Sequence, residues 1–366
     1  MLASVPIYRG DDRVNKMKVA VIGCGMIAKT QHVQHYHNSD RAEIKYLVDP
    51  LEDRARSLAA EFNVPHTSAD YRTILEDDEV EAVSICTPND THAPIAIDCL
   101  NAGKHVLCEK PAALNMEQVR EMKAAADRNG RILNIGVVNR YATGVNRIKD
   151  MIAGGELGRV YHVYCSFRAH RSIPGLGGPF TTKSKSGGGV LIDWGVHFLD
   201  LIFYSLGQPD VRTVSGEIYG ELAKDMKAYA FVNMWAGPPN YNGTYDVEDF
   251  VTGLLRTSGP TISLNGAWAQ NIGESAMFVE FLGDKAGVKL DYGSGDFKVY
   301  GAKDGVLLET SPSFAKADKF ASEIDDFLRS AAANDKGRAN IDQVMITSEV
   351  MDAIYRSAAL GKEISL

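Results

Sequence analysis

KVAVIGCGMIA, residues 18–28, decides the fold of this 366-residue chain. Its apolar opening, residues 18–22, reads as a buried β-strand, and Gly23-Cys24-Gly25-Met26-Ile27-Ala28 follows at once and begins a helical pattern. Gly23 permits a tight turn, Gly25 lets the backbone approach a pyrophosphate, and Ala28 allows a helix to pack closely on a strand. The amides of Met26 and Ile27 then stand at the positive end of a helix, where phosphate binds. Asp49 ends the next apolar run about 20 residues on, the place of a carboxylate that hydrogen-bonds a ribose 2′-hydroxyl. A 2′-phosphate is repelled there, and neither Pro50 nor Leu51 supplies an arginine for it, so the expected cofactor is NAD rather than NADP. A local reading, with Asp49 capping the loop before Pro50, stands beside this one.

Working outward, residues 18–138 alternate β-branched runs (18–22, 44–48, 80–86, 105–108, 132–138) with helical patterns at 93–100 and 116–126. Gly103 and Gly130 fall where helices stop. This is the pattern of a doubly wound parallel sheet, a Rossmann domain. Beyond Arg140 the texture changes to a helix at 144–152, a strand at 160–167, a glycine-rich loop and a buried helix. Short strands follow at 250–255, 261–264, 277–281, 287–290 and 297–300, as in a C-terminal α+β domain with a mainly antiparallel sheet. The boundaries expected are 1–138, with 1–16 as an N-terminal extension, and 139–366. A last helix, 341–360, ends at Gly361 and fits against either domain.

A net charge of −8 without a Lys/Arg-rich run argues against nucleic acid, which needs a concentrated positive face. No apolar run approaches the ~20 residues of a membrane span, and residues 1–15 carry Arg9, Asp11, Asp12 and Arg13 where a signal peptide is apolar. A cytoplasmic protein with no membrane partner is expected. The five cysteines (Cys24, Cys86, Cys99, Cys108, Cys165) are widely spaced in mostly apolar runs and read as reduced core residues. His32, His35 and His37 cannot share one helix face and read as a solvated helix end, so no metal is expected.

Residues 189–204 are apolar almost throughout, yet include Asp193 and His197 four apart on one expected helical face. Burying both costs several kcal/mol unless they pair or line a cavity. Glu109-Lys110-Pro111 leaves one predicted strand, and Thr87-Pro88-Asn89-Asp90-Thr91-His92 leaves another. Ligands of open α/β sheets bind at such carboxyl ends. The loop 168–189, with Arg168, His170, Arg171, Lys183 and Lys185, is a candidate specificity element and equally a solvated loop. Tyr141, Trp194 and Asn139 are further candidates for a pocket lining, and Trp194 fits a core as well.

At these residues the chain resembles the Gfo/Idh/MocA family, which includes glucose–fructose oxidoreductase and inositol dehydrogenase. The resemblance spans nearly the whole chain, from the GxGxxA turn through Thr87-Pro88-Asn89 with His92, Glu109-Lys110-Pro111 and Gly188-Gly189 with Asp193-x-x-x-His197, to Val247-Glu248-Asp249. It implies an open-faced sheet used for homo-oligomer contacts, in a dimer or tetramer, and a sugar or polyol substrate oxidised with NAD. Gly23, Gly25, Met26, Ile27, Ala28, Asp49, Thr87, Asn89, His92, Glu109 and Lys110 would border the cofactor, and Arg168, Arg171, Trp194 and Tyr141 the substrate. His197 would exchange the hydroxyl proton, Asp193 would hold and polarise it, and Lys110 would bond the reacting oxygen. The resemblance also admits a glycoside-cleaving enzyme using transient oxidation by held NAD, and a non-catalytic dinucleotide-binding regulator.

Overall fold

The computed structural model describes residues 16–366; the reading of residues 1–15 lies outside it. Six strands, β1 (Met17–Ile22), β2 (Ala42–Val48), β3 (His66–Ser68), β4 (Ala82–Ile85), β5 (His105–Glu109) and β6 (Leu133–Gly136), form a parallel sheet in the order β3-β2-β1-β4-β5-β6. β4 and β5 are buried along their whole length, as strands covered on both faces must be. The helices between them are α1 (Gln34–His37), which continues a π-helical turn at Ala28–Val33, then α2 (Glu52–Phe62), α3 (Arg72–Leu75), α4 (Asn89–Asn101) and α5 (Met116–Asn129). α5 stops at Gly130 in the left-handed conformation expected of a helix-ending glycine. Sequence reading misses α2, β3 and α3, of which β3 and α3 are only three and four residues long. The expected Rossmann domain is present in full.

The chain then passes through a 3-10 turn at Val138–Tyr141 into α6 (Thr143–Ala153), β7 (Val160–Arg168), the short α7 (Lys183–Ser186), a π-helical turn at Leu191–Gly195 and α8 (Val196–Leu206). The remaining strands are β8 (Val211–Tyr219), β9 (Phe250–Thr257), β10 (Thr261–Ala267), β11 (Ala276–Gly283), β12 (Ala286–Asp291), β13 (Phe297–Lys303) and β14 (Val306–Thr310). After them come α9 (Lys319–Ala333), α10 (Ile341–Leu360) and β15 (Ile364–Ser365). The second sheet runs β14-β13-β12-β11-β7-β10-β9-β8-β15 and is antiparallel except where β7 meets β10. Val163, Cys165, Phe167, Val251, Leu264 and Phe281 are buried on one face under α8, while Tyr164 and Tyr300 stay exposed. The open-faced sheet is as expected; β8, β14, α9 and β15 are elements that sequence reading does not find.

α10 occupies residues 341–360 as expected and packs on both sheets. Ile341 and Val344 join the core of the first, and Val350, Met351 and Ile354 that of the second. α9 packs Ile324, Phe327 and Leu328 against Val33 and Tyr36 on the other face of the first sheet. The expectation that no apolar run approaches a membrane span needs correcting. The helical stretch Lys183–Leu206 is long and apolar enough, but 83% of its apolar window is buried inside the protein, where it forms core. All five cysteines are free and buried.

Arg140, fully buried, joins these layers. Its Nε and Nη2 donate to the Asp200 carboxylate on α8 at 2.9 and 2.7 Å, and its Nη1 donates to Arg338 O and Gln343 Oε1 at 2.8 and 2.9 Å. Removing one partner of such a pair leaves the other charge buried and unpaired. Arg140→Met should therefore destabilise the protein by about 3–5 kcal/mol, read as a lowered denaturant midpoint; a loss below about 1 kcal/mol would show that the pair does not hold the layers together.

Candidate active site

Three strand ends of the first sheet meet at one crevice. After β1, Gly23 sits at φ +89°, and a Cβ there would lie 2.5 Å from the carbonyl oxygen of Cys86. Only glycine fits this turn. Gly25 has open space where a side chain would be, and Ala28 is fully buried. Lys29 N–H donates to Gly25 O at 3.0 Å, so the amides just before it lie in the first helical turn, where no intrahelical acceptor is available. Open space at Gly25 and free amides beside it fit a dinucleotide pyrophosphate.

Asp49 is buried after β2 and accepts from Cys24 N–H and Leu51 N–H, both at 2.9 Å. It thus caps its own loop, as the local reading of this residue expects, and also holds the glycine turn through Cys24 N–H. Arg54, one turn into α2, lies 3.4 Å from Asp49 Oδ2 and is half exposed. Sequence reading considers only the two following positions for an arginine and misses this one, because it does not foresee the helix that carries it.

The loop after β4 is tied down on both sides. His92 is buried with Nε2 2.8 Å from Thr87 O and Nδ1 2.8 Å from Pro111 O, and burial pushes its pKa down. Asn89 Nδ2 donates to Ser186 O at 2.9 Å. His32 is buried rather than solvated, which corrects the expectation for the histidine cluster. The π-turn aims it inward, with Nε2 2.9 Å from Glu109 Oε1 and Nδ1 3.2 Å from Ser84 Oγ. Burial opposes charge on Glu109, yet the His32 hydrogen bond and the nearby Lys110 hold its pKa below the usual carboxylate range. Its other oxygen accepts from Lys110 N–H at 3.1 Å.

Lys110 Nζ donates to Asp193 Oδ1 at 3.0 Å and to Asp193 O at 3.1 Å. Trp268 Nε1–H donates to Asp193 Oδ2 at 3.2 Å. Asp193 and Lys110 thus meet as expected, but no hydrogen bond joins Asp193 to His197 among the described residues. In the π-turn Val196 N–H reaches back to Leu191 O, five residues away, so residues four apart no longer stack. His197 Nδ1 is buried without a partner. Burial, with the Lys110 and Lys319 ammonium groups behind it, drives its pKa well below 6.5. The imidazole is neutral near pH 7.

The helix that bears these groups is fixed at its start by Glu248, whose buried carboxylate accepts from Gly189 N–H and Leu191 N–H at 2.9 and 3.1 Å and from Tyr355 OH at 2.8 Å. This is the work of the Val247-Glu248-Asp249 motif. Phe198 is stacked between Phe167 and Tyr292, at 5.0 and 4.2 Å. Asn139 Nδ2 donates to Tyr292 OH at 3.0 Å, and Lys319 Nζ donates to Asn139 Oδ1 at 3.2 Å. Sequence reading names Asn139 but misses Trp268, Tyr292 and Lys319, which no local motif marks.

Several substrate candidates fall elsewhere. Tyr141 is buried and donates to Asp326 Oδ2 at 2.8 Å. Arg168 lies on the open sheet face with Tyr164, Asn265 and Glu280, its Nε 3.2 Å from Ser166 Oγ. Strand alternation puts it opposite Phe167, hence opposite α8. Arg171 bonds Asn271 and stacks over Tyr229, in a lobe where residues 171–176 are bridged to 232–240 by backbone hydrogen bonds. Trp194 is half-buried against the second core.

Residues 17–137 match the profile of an oxidoreductase family with an NAD-binding Rossmann fold, and residues 145–289 that of the GFO/IDH/MocA C-terminal domain. A D-glucoside 3-dehydrogenase of Escherichia coli (strain K12) is 30% identical over 353 residues, covering 96% of this chain and 97% of that protein. A myo-inositol 2-dehydrogenase of Thermotoga maritima is 29% identical over 192 residues, 52% of this chain and 55% of that protein. A levoglucosan dehydrogenase solved with NADH and levoglucosan shares the fold with a TM-score of 0.81, at 20% identity over 96% of this chain and 99% of that one.

His197 should titrate only below pH 6.5, because a depressed folded-state pKa keeps the ring neutral as pH falls through the usual imidazole range. Ring-nitrogen NMR of labelled protein should show this, and Lys110→Met should move the midpoint upward by removing a neighbouring cation. A midpoint at or above 6.5 in the parent protein would contradict a buried ring facing two ammonium groups.

Proposed function

The chain belongs to the Gfo/Idh/MocA family of oxidoreductases, and on that footing we propose that it is an NAD-dependent dehydrogenase acting on a secondary alcohol of a sugar or polyol, with Lys110, Asp193 and His197 at the reacting hydroxyl. The observation that carries this reading is Lys110 held 3.0 Å from Asp193 beside a neutral, half-buried imidazole whose Nδ1 has no protein partner. Bound NAD supplies the hydride acceptor. Gly23, Gly25, Met26, Ile27 and Ala28 cradle its pyrophosphate and Asp49 its ribose, with Thr87, Asn89, His92 and Glu109 around them.

The protein's own work is on the proton. Hydride leaves carbon only as the hydroxyl loses its proton, and neutral His197 takes it, a contribution of ~10²–10⁴ in rate. The Lys110 ammonium favours the negative charge that grows on the oxygen. Asp193 positions that ammonium, a different task from polarising His197. A glucoside and an inositol dehydrogenase among the relatives support a polyhydroxylated substrate. The open face of the second sheet is the surface through which copies of the chain would associate.

Lys110→Ala or His197→Ala should cut turnover by ~10²–10⁴ and leave NAD affinity, measured by calorimetry, nearly unchanged. Retention of more than about a tenth of turnover would remove that residue from the chemistry. Substrate deuterated at the reacting carbon should deliver its label to NADH with an oxidised product. Cleavage of a glycoside with the label retained in the sugar and no net NADH would replace dehydrogenation by transient oxidation.

NADP should bind much more weakly than NAD while Asp49 is present. Asp49→Ser removes the repelling carboxylate and frees Arg54 for a 2′-phosphate, so preference should swing toward NADP. Equal affinities for the two in the parent protein would overturn the ribose assignment.

A further inference from the structure

We propose that the cavity bounded by Asn139, Tyr292 and Lys319 is a second sugar subsite, which takes the neutral ring joined to the one oxidised, so that the preferred substrate is a glycoside rather than a free monosaccharide. This rests on the hydride-transfer reading above. The cavity measures about 330 Å³, the lower end of small-molecule sites. Its walls are the start of α6, the loop between β12 and β13 and the segment before α9.

Leu201, one turn along α8 from His197, lines the cavity, and so does Tyr292, whose ring stacks on Phe198 at 4.2 Å. Tyr292 thus joins the cavity wall to the residue that follows His197 on α8. A ring bonded to the reacting sugar has this space to enter.

The Lys319 ammonium has three donors but one protein acceptor, Asn139 Oδ1 at 3.2 Å, and no carboxylate lies within 4 Å of it among the described residues. Asn139 cannot swing away, because its amide nitrogen is held by Tyr292 OH. A part-buried cation left with spare donors is costly unless an acceptor arrives, and ring hydroxyl oxygens are such acceptors. Tyr292, Leu201 and Ala142 give the apolar wall that the C–H face of a sugar needs, and Thr143 and Ser294 add hydroxyls. Asp291 and Asp318 balance the charges of Lys316 and Lys319 in the lining, so the cavity carries no net positive charge that would favour a sugar acid over a neutral ring.

The test compares methyl β-D-glucopyranoside with cellobiose on NAD-loaded protein, by steady-state kinetics and by calorimetric binding. Lys319→Met removes the donors, and Ser294→Trp fills the cavity from a separate position should the first variant fold poorly. In each, the ratio of kcat/KM for the disaccharide to that for the methyl glycoside should fall about ten-fold or more, as expected for a lost hydrogen bond to a charged group. A ratio unchanged within about two-fold overturns the subsite, as does equal loss on both substrates with a shifted pH profile, which would assign Lys319 to His197 instead. If neither sugar yields NADH, the hydride-transfer reading fails, while calorimetry still decides the subsite: cellobiose must bind the parent more tightly than the methyl glycoside, and Ser294→Trp must abolish the difference.

Discussion

Arg140 leaves the last strand of the first sheet with its guanidinium wholly buried, and a buried cation persists only where acceptors surround it. Asp200 supplies two of them, and Arg338 O and Gln343 Oε1 the others. Because Asp200 lies three residues beyond His197, this pairing sets the height and rotation of α8 against the sheet whose β5 delivers Lys110. Glu248 fixes the start of the same helical stretch through the amides of Gly189 and Leu191. A helix held by buried carboxylates at its start and at its middle has little freedom, which a site of fixed geometry requires.

Within that frame the charges arrange themselves by partner. Asp193 gives one oxygen to Lys110 and the other to Trp268, leaving His197 to face the crevice alone. An imidazole beside a carboxylate would be drawn toward its charged form; this one is kept neutral by burial, with the two ammonium groups adding to it. The π-turn at Leu191–Gly195 makes this possible by rotating Asp193 off the face of His197.

Much of this is legible in the sequence. The strand-turn-helix at residues 17–28 and the apolar strands β4 and β5 announce the first sheet, because each rests on local patterning. The rule that strand ends bind ligands brings Lys110 to the crevice where Asp193 meets it. What escapes has a physical cause. α2, α3 and α9 escape the sequence reading although α2 and α9 are amphipathic, and with α2 and α9 go Arg54 and Lys319. A π-turn leaves no mark in residue spacing, so spacing alone puts His32 in solvent and pairs Asp193 with His197. Arg168 is assigned to the wrong side because a one-residue step along β7 changes the face of the sheet.

The contribution of α9 shows how a distant segment shapes the crevice. Glu323 is buried one turn along from Lys319, and burial, with the charge of Glu109, raises its pKa well above the usual carboxyl range. Its Oε1 has no hydrogen-bond partner, and no ion pair joins it to Lys319 among the described residues. The Lys319 ammonium thus lies near His197 on one side and lines the adjoining cavity on the other. Folding α9 back onto the first sheet thus does two things at once: it buries Phe327 and Leu328, and it places a cation with no carboxylate within 4 Å among the described residues at the edge of the reacting group.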